Sequence, residues 1–301
     1  MKGLMLKAVP DLPPDEMNAP SDDDVLRWAL AYLEHAPLSL TLREINRLVA
    51  LETVTTKRGP VLDVGCGDGF WWTLRSDKRE IYGIDISASE IAQARKRINA
   101  QLSDVSRELP FPGTKFGELI GNCSLEHVPD IDAALANLRA AASDDAQLLM
   151  FVPTPRWAYQ GRMQSFLLRY SPRMAMALSG ALNGFFQHWH LYDHKVWTRL
   201  LETHGWRVRE IKGLGSARSE FLFRAFMPPA FVQFLAKSIT GFYPAKLYRF
   251  LPKAAMKPLA KLVRWAVSDP IVDVESPHAY EYMIVAEAAP SSSSSGAASP
   301  K

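Results

Sequence analysis

Residues 61–69 read Val-Leu-Asp-Val-Gly-Cys-Gly-Asp-Gly, a short apolar run that stops on three alternating glycines. Gly65, Gly67 and Gly69 carry no Cβ, so the chain can turn sharply there and a ligand can approach the backbone closely. The dinucleotide fingerprint G-x-G-x-x-G would need glycine at position 70, where Phe70 stands, and the Gly-Lys-Ser/Thr ending of a phosphate loop is missing. A nicotinamide oxidoreductase is therefore the weaker reading. Asp85 closes the next apolar run, where a carboxylate can accept hydrogen bonds from both hydroxyls of a ribose. The pattern points to a nucleoside cofactor. Asp63 either faces a cationic group of that cofactor or fixes the turn, and Cys66 and Cys123 read as small strand-end residues rather than a redox pair.

Two further groups carry chemistry. Glu126-His127 opens the segment after a later strand, where open α/β sheets bind ligands, so His127 is a candidate base or acceptor-orienting residue. The second group is His188-Trp189-His190-Leu191-Tyr192-Asp193-His194, of which His190 and Tyr192 are candidates for touching an acceptor. No metal is expected: the second histidine group has flexible spacing and no cysteine partner.

The elements that must position these residues alternate. Helices are expected after Ser21, a cap with Asp22 to Asp24 in its first turn, and over about Thr41 to Thr53. Strands at Val61–Val64, Ile81–Ile86, Glu118–Cys123 and Gln147–Val152 interleave with helices at Ser89–Ala100 and Ile131–Ala142. A helix at Lys195–His204 precedes strands at Arg207–Ile211 and Tyr280–Glu287. Such alternation means right-handed βαβ units and a mostly parallel sheet.

With these elements in place, the sequence resembles the class I S-adenosylmethionine-dependent methyltransferases, especially the type-11 group that includes small-molecule and lipid methylases. The resemblance covers about residues 59–152 and more loosely 190–212 and 280–287. It rests on Val61 to Gly69, on Ile84-Asp85-Ile86-Ser87, on Asp104 followed by Leu109-Pro110-Phe111, and on Asn122 to Asp130. It implies a Rossmann-like, mostly parallel seven-stranded sheet with helices on both faces, and S-adenosylmethionine as cofactor. It implies cofactor contacts from Asp63, Gly65, Cys66, Gly67, Gly69, Asp85, Ile86, Asp104 and Asn122. Methyl transfer to a hydroxyl, or less readily an amine or carbon, of an apolar small molecule or lipid is then expected. The rival from another class is a noncatalytic protein that keeps the pocket and binds a partner.

Composition bounds the rest. With 48% hydrophobic residues in 301 the chain can bury a substantial core, and a formal charge of +3 is too small for a general nucleic-acid binder. Two cysteines form no disulfide framework, which fits a reducing, cytoplasmic setting. No signal peptide is expected at the start, and the longest uncharged apolar stretch, 174–187, is too short to span a bilayer.

The organisation expected is a helical extension over 1–58, a catalytic domain over 59–289 with cap insertions at about 153–193 and 213–279, and a disordered tail from 290. Residues 153–190 hold Arg156, Arg162, Arg169 and Arg173 without an acid, and 218–264 hold nine basic residues against Glu220 among many aromatics. Both insertions follow parallel strands and should roof the acceptor site. Met256–Val267 reads as a basic amphipathic helix with Pro258 in its first position and Lys257, Lys261 and Arg264 on one face. It either packs on its own domain or lies on the anionic inner face of a membrane, with 218–264 as the contact.

Overall fold

The computed structural model describes residues 20–54, 59–74, 77–158, 162–241, 243 and 253–290. The proposed tail beyond residue 290, the first nineteen residues, and the aromatic positions Phe242, Tyr248 and Phe250 lie outside them. Eight strands form one sheet in the order β3-β2-β1-β4-β5-β8-β6-β7. The central strands β1 (Val61–Val64), β2 (Ile81–Asp85), β3 (Asn99–Leu102), β4 (Phe116–Asn122) and β5 (Ala142–Pro153) pair in parallel. The last long strand, β8 (Glu281–Ala288), inserts antiparallel between β5 and β6 (Trp206–Leu214), and the two-residue β7 (Ile271–Val272) borders β6. The fold is therefore Rossmann-like and mostly parallel, with one strand more than expected.

Both faces of the sheet are covered, as a parallel sheet requires. Successive side chains point to opposite faces, and the strands divide accordingly. Val61, Ile120, Leu149, Phe151, Met283 and Val285 join one core. Their neighbours Leu62, Val64, Leu119, Leu148, Met150 and Ile284 join the other. On the second face lie α5 (Ile131–Ala141) and α8 (His194–Thr203), with Leu135, Leu138, Trp197 and Leu201 inward. On the first lie the N-terminal helices α1 (Asp22–Tyr32) and α2 (Leu38–Leu51) and the single turn α3 (Phe70–Thr73). Ser21 caps α1 by accepting from Asp24 N.

The largest local difference from the sequence reading is at 89–100. The helix there, α4 (Ala88–Ala94), ends early, and β3 occupies the segment assigned to its last turn. Ile91 and Ala94 anchor the helix and Ala100 the strand in one small core, while Arg95, Lys96 and Arg97 make the exposed turn between them.

The insertions contain α6 (Arg162–Tyr170) and α7 (Pro172–Phe185), then α9 (Ala217–Thr240) and α10 (Lys253–Val267). In α10, Val263, Ala266 and Val267 are buried in the same core as α1 and α2. Of the two arrangements expected for this stripe, the structure shows the one packed on its own domain. That burial stabilises a helix long enough to carry Pro258 in its interior, rather than at its first position. The side chain of Lys257 lies outside the described residues.

One polar tie crosses the apolar layers. Glu281, fully buried at the start of β8, accepts from Arg47 Nε at 3.0 Å and Nη2 at 2.5 Å, and also from Arg43, both on α2. Removing one partner of a buried ion pair leaves uncompensated charge. Glu281→Ala should therefore lose about 3–5 kcal/mol of stability, read from urea denaturation. A loss below about 1 kcal/mol, the worth of a surface pair, would contradict this account.

Candidate active site

The glycine turn is built by the strands on either side of it. Gly65 N and Cys66 N both donate to Ile84 O, at 2.8 and 3.0 Å, which binds the turn to the end of β2. Gly65, Gly67 and Gly69 all have positive φ, the region L side chains rarely adopt. A Cβ at Gly65 would come 2.5 Å from Ser124 Cβ, so β1 and the segment after β4 meet there without room for a side chain. At Gly67 a Cβ would meet nothing within 4 Å, and this part of the turn faces open space that a ligand can fill.

Asp85 accepts from Gly67 N at 2.9 Å and Ser87 N at 2.8 Å, one bond on each carboxylate oxygen. A carboxylate has about four acceptor positions, so each oxygen retains one for a ribose hydroxyl. Ile86, next along, is 78% exposed. An adenine ring against it would cover that apolar surface. Asp104 accepts from Ser106 N and Oγ at 2.9 and 2.7 Å, which holds its carboxyl below the usual range.

Asp63 accepts from Trp72 Nε1 at 2.6 Å, so the bond fixing the turn is present, and burial pushes its pKa up to about 7. Phe70 N is taken by Asp68 at 2.8 Å, so the helix after the turn offers a carboxylate little. Cys66 packs against Gly83, and burial keeps the thiols of Cys66 and Cys123 protonated. Asn122 is engaged by α2: its Oδ1 accepts from Arg47 at 3.1 Å and its Nδ2 donates to Glu44 at 3.3 Å.

On the acceptor side, Leu125–His127 form a short turn after β4, and the segment from the second histidine group is clipped onto it. Trp189 N and His190 N both donate to Glu126 O, at 2.9 and 3.1 Å. His190 donates through Nε2 to Val128 O at 2.8 Å and accepts at Nδ1 from Tyr192 OH at 3.0 Å. Both ring nitrogens of His190 are thereby occupied in holding the clip. Asp193 caps α8 by accepting from Val196 N at 2.9 Å, and His194 lies 3.6 Å from Glu275.

His188 is the residue the clip brings to Glu126 and His127. Its ring stacks on His127 at 5.3 Å, and burial, then the charges of His127 and Arg43, press its pKa down to about 4. It is neutral at physiological pH. His127 Nδ1 lies 3.1 Å from Gln187 O and must donate to it, which leaves the Nε2 lone pair available to take a proton or coordinate a cation.

Sequence reasoning missed the polar roof beside this group. Arg43 is caged by Trp157, Phe223 and Tyr280, its guanidinium carbon 4.3 to 5.5 Å from their ring centres. The available signal was Arg43 and Arg47 four apart on one amphipathic helix, with Glu281 opening a largely apolar strand.

A family model described as a methyltransferase domain matches residues 32–211, more than half of the chain. The chain belongs to this family. Solved structures agree on the fold. An S-adenosylmethionine-dependent methyltransferase from Thermotoga maritima is 13% identical with a TM-score of 0.50 over 88% of this chain and 94% of its own. The [4+2]-cyclase SpnF is 17% identical at 0.50, over 88% and 93%. Phosphoethanolamine N-methyltransferase 2 of Haemonchus contortus, solved with S-adenosylmethionine, is 14% identical at 0.51, and the present chain, aligned over 90% of its length, covers 57% of that enzyme. No curated protein matches the sequence. The family match leaves the nicotinamide reading without support.

S-adenosylmethionine is the cofactor of class I methyltransferases, and this methyltransferase fits it at two points: the open side of Gly67 and the unused acceptor positions of Asp85.

Asp63 yields a pH prediction. Its pKa is raised to about 7 in the fold, so burial opposes only the ionised form. The destabilisation from this group is nil below about pH 4, where the carboxyl is protonated whether the chain is folded or not. It grows by about 1.4 kcal/mol for each further pH step of one as pH climbs towards 7, and is constant above. Asn at this position keeps the bond from Trp72 and cannot ionise. The melting temperature of Asp63→Asn relative to wild type should therefore rise between pH 5 and pH 8, measured without cofactor. A difference that does not change with pH would contradict the assignment.

Proposed function

We propose that this methyltransferase transfers the methyl group of S-adenosylmethionine to a hydroxyl of an apolar, lipid-like acceptor delivered from an anionic membrane surface. The cofactor already carries the reactive group, so the protein must bind it, align the acceptor and exclude water. Gly67 and Asp85 serve the cofactor, and Glu126, His127 and His188 receive the acceptor hydroxyl. The observation that carries the acceptor class is the outer face of the cap. Phe166, Tyr170, Met176, Val232, Leu235 and Ile239 on α6, α7 and α9 are all exposed, Ile239 to 83%. Exposed apolar surface of this extent marks an interaction site.

Arg169, Arg173 and Lys237 stand among them, and Glu220 is the one acid in the three helices, already bound by Arg224 and His278. A basic, apolar face complements anionic headgroups over an acyl layer. Aromatic rings lead inward from it: Phe231 to Phe185 at 5.4 Å, Phe185 to Phe186 at 5.0 Å, and Phe186 stacked on His188 at 5.8 Å. No helix among the described residues is long and apolar enough to cross a membrane.

Two measurements test the reading. An equilibrium titration should show S-adenosylmethionine binding that weakens at least tenfold in Asp85→Ala, since a hydrogen bond to a charged group is worth about 1.5–3 kcal/mol. Indifference of the protein to the cofactor, or of the affinity to the substitution, would sink the cofactor assignment. Incubation with methyl-labelled cofactor and lipid extracts then separates turnover from mere binding.

For the membrane face, flotation with anionic vesicles should be salt-sensitive and should be lost when Leu235 and Ile239 become Glu. Equal recovery with neutral vesicles, or flotation that survives the double substitution, would reject it.

A further inference from the structure

Glu126, His127 and His188 each offer one ligand atom, a carboxylate oxygen or a ring nitrogen, and these atoms all lie within 4.8 Å of one another. Packing does not account for how they are held. Glu126 is 1% exposed, yet its Oε2 is buried without a hydrogen-bond partner. His188 Nδ1 is likewise buried and unpartnered. His127 is anchored through Nδ1 on Gln187 O, and its Nε2 lies 3.7 Å from Glu126 Oε1. Buried polar atoms left unpaired cost on the order of 1–3 kcal/mol each. An imidazole whose second nitrogen rests on a backbone carbonyl has the tautomer and orientation of a metal ligand.

We propose that Glu126, His127 and His188 bind a divalent transition-metal cation that holds the hydroxyl oxygen of the methyl acceptor. Two imidazoles and a carboxylate suit zinc first, with iron and manganese behind it, and three protein ligands leave a coordination position open. The surrounding charge permits it. Arg43 and Arg47 are nearby, but Glu281 and Glu44 bind them, so the environment holds three carboxylates with Glu126 against two guanidiniums. His127, 36% exposed, gives the cation a way in. Residue 124 meets Gly65, which places this group beside the cofactor turn.

The role in catalysis rests on the methyl-transfer reading. The cation lowers the pKa of the bound hydroxyl, whose proton leaves to water. An oxygen electron pair then forms the bond to the methyl carbon, and the carbon–sulfur bond breaks with its pair retained by sulfur. The sequence expectation of no metal considered each histidine group by itself. His188 lies outside the local spacing of Glu126 and His127 and reaches them through the backbone bonds from Trp189 and His190.

Equilibrium dialysis of the full chain against micromolar zinc, with bound metal counted by mass spectrometry, tests the site. One equivalent is expected, bound roughly tenfold or more weakly in His188→Ala and in Glu126→Gln, and unchanged in His194→Ala, whose histidine pairs elsewhere. Circular dichroism checks that each variant folds; if Glu126→Gln does not, partly exposed His188 carries the test. Absence of zinc binding, or binding as tight in His188→Ala as in wild type, overturns the proposal. The readout involves neither cofactor nor methyl transfer, so a failure here and a failure of the methyltransferase reading are separate results.

Discussion

One buried carboxylate sets the architecture of the site. Glu281 opens a strand in the middle of the sheet, away from water, and an ion there persists only if charge and hydrogen bonds are returned in full. Arg43 and Arg47 return them, and both belong to α2. The N-terminal helices are thereby placed over the carboxyl edge of the sheet. Arg47 reaches Asn122 at the end of β4, and Arg43 fills the aromatic cage whose walls come from both insertions and from Tyr280. The extension and both insertions meet at a single charge cluster, so the roof of the site is held from several directions at once.

The second insertion serves two purposes. Its later helix, α10, completes the core on the first face of the sheet together with α1 and α2. Its earlier helix, α9, buries Leu222 near the sheet and leaves its far end apolar and uncovered. The basic composition that looks uniform over 218–264 thus separates in space into a structural part and an exposed part. α7 extends the exposed part through the contact between Phe185 and Phe231.

What was legible in the sequence followed local physics. Three glycines after an apolar run, and an acid at the end of the next, predict a turn with a carboxylate beside it because backbone conformation and spacing decide both. Helices and strands with clear periodicity also appear close to their expected bounds. β3 was hidden because four residues with one buried side chain carry no strand pattern, and β7 because it has two residues. The pairing of α2 with β8 and of His188 with Glu126 depends on partners far apart in the chain. The histidine group looked like one unit of five polar side chains, but its members point to four separate tasks once the backbone bonds sort them.

The position of β8 also governs how the chain is made. Arg47 is ready when α2 emerges from the ribosome, but its carboxylate partner follows 234 residues later. Until then the edge of β5 that β8 will pair is open, and two guanidiniums intended for the interior remain hydrated. A topology with such distant pairings folds slowly and exposes strand edges in the interval. Final closure of the sheet is thus postponed until nearly all of the described chain has been synthesised, and the catalytic edge is assembled last.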